Sequence, residues 1–307
     1  MSITRSTHPA LLLEGLKELF GVGYVNYPDK YKKIFDLTTS EKEVEQYQEV
    51  GGFGLHTVKA EGQISSLDTT NQGPKTYIEN IAYALRYLIS HEALADNQYD
   101  RIKQDLLDLG TSAGRTMEVK AIDRLNTAYS TATADKLADG SAMCATDHAL
   151  SGSGGTGSNT AASAADLSEA SLITAVNDIA SFVGPRGLKI QATPELLIVP
   201  QGEAVTAQKL LFSELTVGSA HNDINVFGRQ AAGGQMFPQG YVISNDISDA
   251  DAFFIRTSVR GLTFQTRQSP IIKDDYVNQS MQKEVTSYMR FGVGCYDWRS
   301  IYGNPGA

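Results

Sequence analysis

Four groups of residues have the types and spacing for chemistry. Cys144, Asp147 and His148 sit within one short stretch and carry a thiol, a carboxylate and an imidazole, a donor set that suits zinc. A zinc site needs a further ligand or a second closely spaced pair, and this Cys-x3-His stands alone, so His148 reads as a hydrogen-bonded loop residue. Asp246, Asp249 and Asp251 are oxygen donors of the calcium type. They lack the central glycine and closing glutamate of a calcium loop and read as a solvated turn between strands. The run Gly152-Ser-Gly-Gly-Thr-Gly-Ser-Asn159 has the glycine content of a phosphate cradle. A cradle needs a lysine followed by Ser or Thr beside its last glycine, and the next lysine is Lys189, so the run reads as a flexible surface loop and linker. Gly-x-Ser-x-Gly, the elbow of a hydrolase nucleophile, is absent. Tyr77, Tyr83 and Tyr87 have rings that stack on bases or sugars, yet a strand face packed on a helix accounts for them without a ligand. No constellation supports a catalytic residue, a bound metal or a cofactor.

The elements that position these residues follow from hydrophobic period. Pro9 suits a first helical position, Leu12, Leu16 and Leu19 share a face, and Gly21 and Gly23 are expected to stop that helix. Tyr24 to Glu49 mixes tyrosines with charges and shows no period sustained enough for a core element. Phe53 to Glu61 reads as a strand, 62–73 as a turn-rich tip, and Tyr77, Ile81, Tyr83, Leu85, Tyr87 and Ile89 alternate along a second, longer strand. Together they predict a long two-stranded hairpin between Gly51 and Ser90. Its distal half has little core of its own, and an isolated ribbon is only marginally stable in water unless something covers it. The outer part, to about Asn80, is expected to be mobile in a free subunit and ordered by assembly.

Ile102, Leu106, Leu109, Ala113, Met117, Ala121, Leu125 and Ala128 then mark a helix over 98–129, with Gly110 and Gly114 signalling a bend or a close helix contact. Asp166 with Glu169 predicts a helix cap, followed by the stripe Leu172, Ile173, Val176, Ile179 and Val183, which Gly184-Pro185 ends. Short strands at 196–199, 241–244 and 252–256 and a helix over 202–214 complete a compact α+β unit. Leu262 to Gln265 is extended again, and Val285, Met289, Phe291, Val293 and Cys295 alternate along a last long strand.

Composition bounds the class. A chain of 307 residues, 41% hydrophobic and 20% charged, buries a substantial core, and no apolar run reaches the length of a membrane span. Glu14, Lys17 and Glu18 interrupt the Leu11-Leu12-Leu13 run, so an export signal is not expected, and Cys144 and Cys295 read as buried thiols in a reducing compartment. A net charge of −9 with 26 scattered basic residues opposes broad affinity for nucleic acid.

The order of elements and the wording of several segments are jointly informative: Asp29-Lys-Tyr-Lys-Lys-Ile-Phe35, Gly52-Phe-Gly-Leu55, Ala82-Tyr-Ala-Leu85, Asp96-Asn-Gln-Tyr-Asp100, Cys144-Ala-Thr-Asp-His148, Ala165-Asp-Leu-Ser-Glu-Ala-Ser171, Asn222-Asp-Ile-Asn225 and Arg299-Ser-Ile-Tyr-Gly303. With them the chain resembles the major capsid proteins of tailed bacteriophages with the Hong Kong 97 fold, and within these the Mu-like major head subunit lineage. The resemblance implies an α+β capsid fold with residues 1–50 as N-terminal arm, 51–80 as extended loop and 81–132 as peripheral domain with its spine helix. It further implies 133–258 as axial domain and 259–307 as the return to the peripheral domain. The implied function is a structural, non-enzymatic head protein of the virion, assembled in the host cytoplasm. Copies of the chain, as pentamers and hexamers, would form an icosahedral shell around double-stranded DNA without reading its sequence. Scaffolding, portal and decoration proteins are the further partners it suggests, with no membrane. The chain lacks the long N-terminal scaffolding region of self-cleaving members, which implies a separate scaffold or none. Lys59, Lys75 and Asn304 have the residue types of the family's loop cross-link and nothing else in its favour. An encapsulin-like nanocompartment shell and a small metal-dependent enzyme are the alternatives.

Overall fold

A computed structural model describes residues 9–90, 92, 99–213, 225, 227–228, 236–277 and 282–307. Asp96, Asn97, Gln98 and Asn222, Asp223, Ile224 of the quoted segments lie outside the described residues.

The chain opens with helix α1 (Pro9–Asn26), which runs straight through Gly21 and Gly23. The expected stop fails because Gly23 is a packing residue. A β-carbon there would lie 2.2 Å from the Leu107 carbonyl oxygen of α3 (Tyr99–Asn126), and one at Gly110 of α3 would lie 2.3 Å from the Phe20 oxygen. The two helices therefore touch backbone to backbone, with Thr111 Oγ1 donating to the Gly23 carbonyl at 3.3 Å. Gly114 opens a slot for Tyr27. Tyr27-Pro28 ends α1, since a residue before proline is pushed out of the helical region.

Between Tyr24 and Glu49, where no period was legible, lie α2 (Tyr31–Ile34), β1 (Asp36–Thr39) and the start of β2 (Val44–Gly51). Elements of four residues are too short to show a period, yet Tyr31, Ile34 and Phe35 are all buried. Glu118 of α3 accepts the Tyr31 N–H at 3.0 Å and so caps α2.

The main sheet has the order β1-β10-β11-β4, built from β4 (Ile81–Ile89), β10 (Leu262–Val277) and β11 (Gln282–Cys295). β1 runs parallel to β10, and the other pairs are antiparallel. β10 is far longer than Leu262 to Gln265. Ser269-Pro270 hides its continuation, because a proline cannot donate to the ladder, and the register shifts there between Gln268 and Ile271. α3 packs on this sheet. Tyr83, Phe291, Phe264 and Tyr31 stack in a row across it at centroid spacings of 4.6, 5.0 and 4.5 Å.

A second sheet has the order β12-β9-β7-β8, from β7 (Pro194–Pro200), β8 (Tyr241–Ser244), β9 (Phe253–Thr257) and β12 (Ile301–Asn304). Helices α4 (Glu169–Ala180) and α5 (Ala204–Phe212) add Leu172, Ala175, Ile179, Ala207 and Leu211 to one core shared by both sheets. The cap of α4 is Ser168 with Ser171 in a reciprocal box, two residues after the expected Asp166, whose carbonyl instead accepts the Ser171 hydroxyl. After β11 the chain turns through Trp298–Ser300 and pairs β12 with β9, so the last strand belongs to the second sheet. Arg256 of β9 ties the sheets together through Asp36 at 2.8 Å and the Lys33 carbonyl at 2.8 Å.

Candidate inter-subunit surface

The expected hairpin exists with other strands. β2 pairs with β3 (Asn71–Glu79) in an antiparallel ribbon, while 53–61 forms no strand and β4 leaves the ribbon for the main sheet. Asn80 makes the break. It is 2% exposed, its side-chain amide donates to Ser40 Oγ at 2.8 Å and the Lys42 carbonyl at 2.9 Å, and its backbone carbonyl accepts from Arg290 Nε at 2.8 Å. At this anchored residue the chain passes from the ribbon to the main sheet, so Tyr77 does not share a face with Tyr83 and Tyr87.

The ribbon root crosses β11 at two glycines. A β-carbon on Gly292 would lie 2.5 Å from the Glu79 carbonyl, and one on Gly294 would lie 2.7 Å from Ile78. Gln265 donates to the Ile78 carbonyl at 2.9 Å, and Tyr47 stacks on Tyr296 at 4.5 Å. Arg299, almost wholly buried, closes the root: Nη1 lies 3.0 Å from both Glu49 and Asp297, Nε donates to the Val183 carbonyl at 2.6 Å, and the guanidinium covers the Trp298 ring. Burial raises the Asp297 carboxyl and the Arg299 charge opposes that rise.

The tip, 52–70, buries little. Phe53 and Leu55 are 65% and 78% exposed, and Val58, Ile64 and Leu67 stand fully in solvent. Asp68 receives the Arg186 guanidinium on both oxygens, with Nη2 to Oδ1 at 2.7 Å, and the Gly54 N–H at 2.7 Å. These donors, the arginine first, hold its carboxyl well below the usual range. Five large apolar side chains thus stand exposed on one loop that has no core of its own.

The other residues singled out from sequence are absorbed by the fold. His148 is wholly buried, with Nδ1 2.6 Å from Asp139 and Nε2 3.1 Å from the Asn159 oxygen, and it stacks on Trp298 at 4.8 Å. Asn159 in turn donates to the carbonyls of Met143, Trp298 and Ile301 at 2.8 to 3.0 Å. Neither ring nitrogen is left for a metal or a substrate. Cys144 is buried with its Sγ directed at Gly303, where a β-carbon would stand 2.8 Å away, and burial pushes its thiol up. Asp249 accepts the Asp251 N–H at 3.2 Å, and the Asp246 carbonyl accepts from Asn126. Among the described residues, no group of three or more His, Cys, Asp or Glu side chains is placed to hold a metal ion.

Tyr83 packs on Phe291, and Tyr87 donates to Asp105 at 2.5 Å, both between sheet and α3, while Tyr77 is 62% exposed on the ribbon. The glycine-rich run is a small hairpin: β5 (His148–Ala149) pairs with β6 (Thr156–Gly157), Gly154 takes φ +69°, and Gly157 lets the Trp298 ring within 2.5 Å of where a β-carbon would be. A cleft of about 450 Å³ beside Trp298 is lined by Thr146, Asp178 and Phe182. The indole faces are taken by His148 and Arg299, so the cleft offers no stacking platform. Asn304 is buried and accepts the Ala165 and Gly306 N–H groups at 3.1 Å, while Lys75 lies in the ribbon opposite Gln48.

Sequence reasoning missed Arg186 and Arg299. The signal for Arg186 was present in Gly184-Pro185-Arg186-Gly187, a turn that presents one long cation between two glycines, but it was read only as a helix stop.

Among the described residues no helix is long and apolar enough to cross a membrane. A sequence model of the family described as phage capsid protein matches residues 76–304. No curated protein sequence matches the chain. Among solved structures the chain is similar to a virus-like particle from Pyrococcus furiosus, at 11% identity and TM-score 0.57, over 95% of this chain and 99% of that one. It is similar to the capsid of the cyanophage P-SCSP1u, at 10% identity and TM-score 0.57, over 92% and 89%. It is also similar to the capsid of an empty GTA particle, at 14% identity and TM-score 0.55, over 91% and 90%. These likenesses give the fold, an α+β capsid architecture of the Hong Kong 97 type.

Proposed function

The chain belongs to the phage capsid protein family, and from that premise we propose that it is the major head protein of a tailed phage. Copies assemble as pentamers and hexamers into an icosahedral shell around double-stranded DNA. The observation that carries this reading is the ribbon tip, where Phe53, Leu55, Val58, Ile64 and Leu67 lie exposed on a loop that its own chain does not cover. Repetition of one such contact around closed symmetry turns many modest interfaces into a cooperative shell.

The ribbon of β2, β3 and the tip serves as the extended loop. The sheet β1-β10-β11-β4 with α3 serves as the peripheral domain, drawn from 81–132 and 259–295. The sheet β12-β9-β7-β8 serves as the axial domain, drawn chiefly from 133–258, with β12 returning to it. The subunit has no catalytic role. Supporting that, His148, the best-placed acid–base side chain, is bonded at both ring nitrogens within the protein. The net charge of −9 suits a container that encloses DNA without gripping it. Assembly takes place in the host cytoplasm with scaffolding, portal and decoration proteins as further partners, and the mature location is the virion.

Electron microscopy and light scattering of the purified chain test this reading. Closed particles of uniform diameter are the expected result. A monomer or dimer at every concentration, with stoichiometric bound metal, sinks it in favour of an enzyme. The likeness to an archaeal virus-like particle favours one second reading, a compartment of the same fold loaded with protein cargo. Particles that form in cells and purify with a protein guest and no DNA would select it.

A further inference from the structure

We propose that Arg186 is a latch that fixes the ribbon tip in the orientation in which a second copy of the chain takes it up. This rests on the shell reading above. Among the described residues, every hydrogen bond from 52–70 to the rest of the chain ends on this one side chain: both guanidinium Nη atoms reach Asp68, and Nη2 also reaches the Thr69 carbonyl at 2.9 Å. Planar, two-point pairing of guanidinium with carboxylate fixes direction as well as distance.

The latch sits in a built slot. Arg186 is held by a tight turn in which the Gly187 N–H donates to the Gly184 carbonyl at 2.9 Å and Gly187 takes φ +76°. Gly152 of the β5–β6 hairpin makes room for the arginine stem, since a β-carbon there would lie 3.1 Å from Cγ. Gly54 of the tip makes room for the head, at 3.2 Å from Nη1. The Gly152 N–H also donates to the Pro185 carbonyl at 2.9 Å, joining the hairpin to the turn. The glycine-rich run, which lacks the lysine of a phosphate cradle, thus has a use as one wall of this slot.

The latched tip displays its apolar side chains. Val58, Ile64 and Leu67 are 94% exposed or more with the pair closed. A contact that restrained assembly would cover those residues, whereas this one holds their backbone still and leaves them open. A loop fixed beforehand loses less conformational freedom on docking, and association gains by that amount.

The experiment uses the full chain with Asp68→Asn, Arg186→Gln and both together. In dissociated subunits, hydrogen exchange over 54–69 is expected to rise in each single variant. The threshold concentration for particle formation is expected to rise about threefold, the scale of a well-formed exposed ion pair. The double variant should be no worse than either single one, because both remove the same contact. Unchanged exchange, additive effects, or a threshold that stays or falls would overturn the proposal; a falling threshold would make the contact a restraint. If wild-type chains form no particles the shell reading fails by itself, and the exchange result still decides whether Arg186 holds the tip.

Discussion

Gly23 and Gly110 meet where α1 crosses α3, so closely that a β-carbon on either would fall 2.2 to 2.3 Å from a carbonyl oxygen of the opposite helix. Neither carbonyl belongs to a flexible side chain, so the helices themselves must move to admit one methyl. Gly110→Ala is expected to destabilise the fold by about 1–3 kcal/mol, the usual cost of overpacking. Gly21, in the same helix with nothing within 4 Å of a β-carbon, is the control. Gly21→Ala should raise stability by up to about 1 kcal/mol through helix propensity alone. Urea unfolding of both variants, followed through Trp298, the single tryptophan, checks the opposite signs.

Asn159 organises the buried cluster around His148. Its amide donates to three carbonyls while its oxygen accepts from Ala145 and faces His148. Asn159→Asp keeps the shape, removes both N–H donors that the three carbonyls share and sets a charge against those carbonyl oxygens. A loss of at least about 3 kcal/mol is expected, of the order found when a buried pair is broken. A change under 1 kcal/mol in the same unfolding assay would contradict the network.

Glu118 caps α2 from inside the core, and burial raises its carboxyl above the ordinary value against the opposing pull of the Tyr31 and Lys30 N–H groups. Its folded value therefore lies above its unfolded one. The stability tied to this difference is complete below the unfolded value and fades as pH rises through the folded one. Relative to wild type, Glu118→Gln should gain stability as pH climbs from 4 towards 7. Thermal midpoints of the pair across that range, measured at constant ionic strength, give the trend; a difference, variant minus wild type, that stays flat or falls as pH rises would refute it.

Both cysteines are buried and free, and burial lifts the Cys295 thiol to about 11. A folded subunit at pH 8 should thus keep both thiols protonated and unreactive towards a disulfide reagent, with reaction gated by unfolding. Titration should find two thiols in denaturant and none in buffer on the same timescale.

At the ribbon root, Gly292→Ala would drive a methyl into the Glu79 carbonyl. The ribbon must then tilt away from β11. Subunits that keep their thermal midpoint within a few degrees but no longer form particles are the expected outcome, read by melting and electron microscopy side by side.

What was legible in the sequence is what periodicity can carry. The stripe from Ile102 to Ala128 marked α3, and the alternation from Val285 to Cys295 marked β11, because each buries one continuous face. The strand at 81–89 was seen but joined to the wrong partner. Nothing in Tyr77 or Ile81 reveals that Asn80 between them is pinned by Ser40 and Arg290. Gly23 and Gly110 were visible as glycines, but the role of each depends on the other, 87 positions away, and only one was given the right sense. Strand β10 was cut short at Gln265 because Pro270 and the charged Lys273-Asp274-Asp275 stretch look like a loop until a partner strand lies alongside. The latch was the least legible of all, since an Asp and an Arg 118 residues apart carry no pattern.

The pairing of β4 with β11 and of β9 with β12 has a consequence for the order in which a ribosome delivers the chain. The main sheet joins the early strands β1 and β4 to the late strands β10 and β11, and the second sheet waits for β12. A nascent chain not yet extended past β11 therefore lacks the platform on which the ribbon root rests. Until β11 has been made, neighbouring nascent chains on one messenger have no seated ribbon to offer one another.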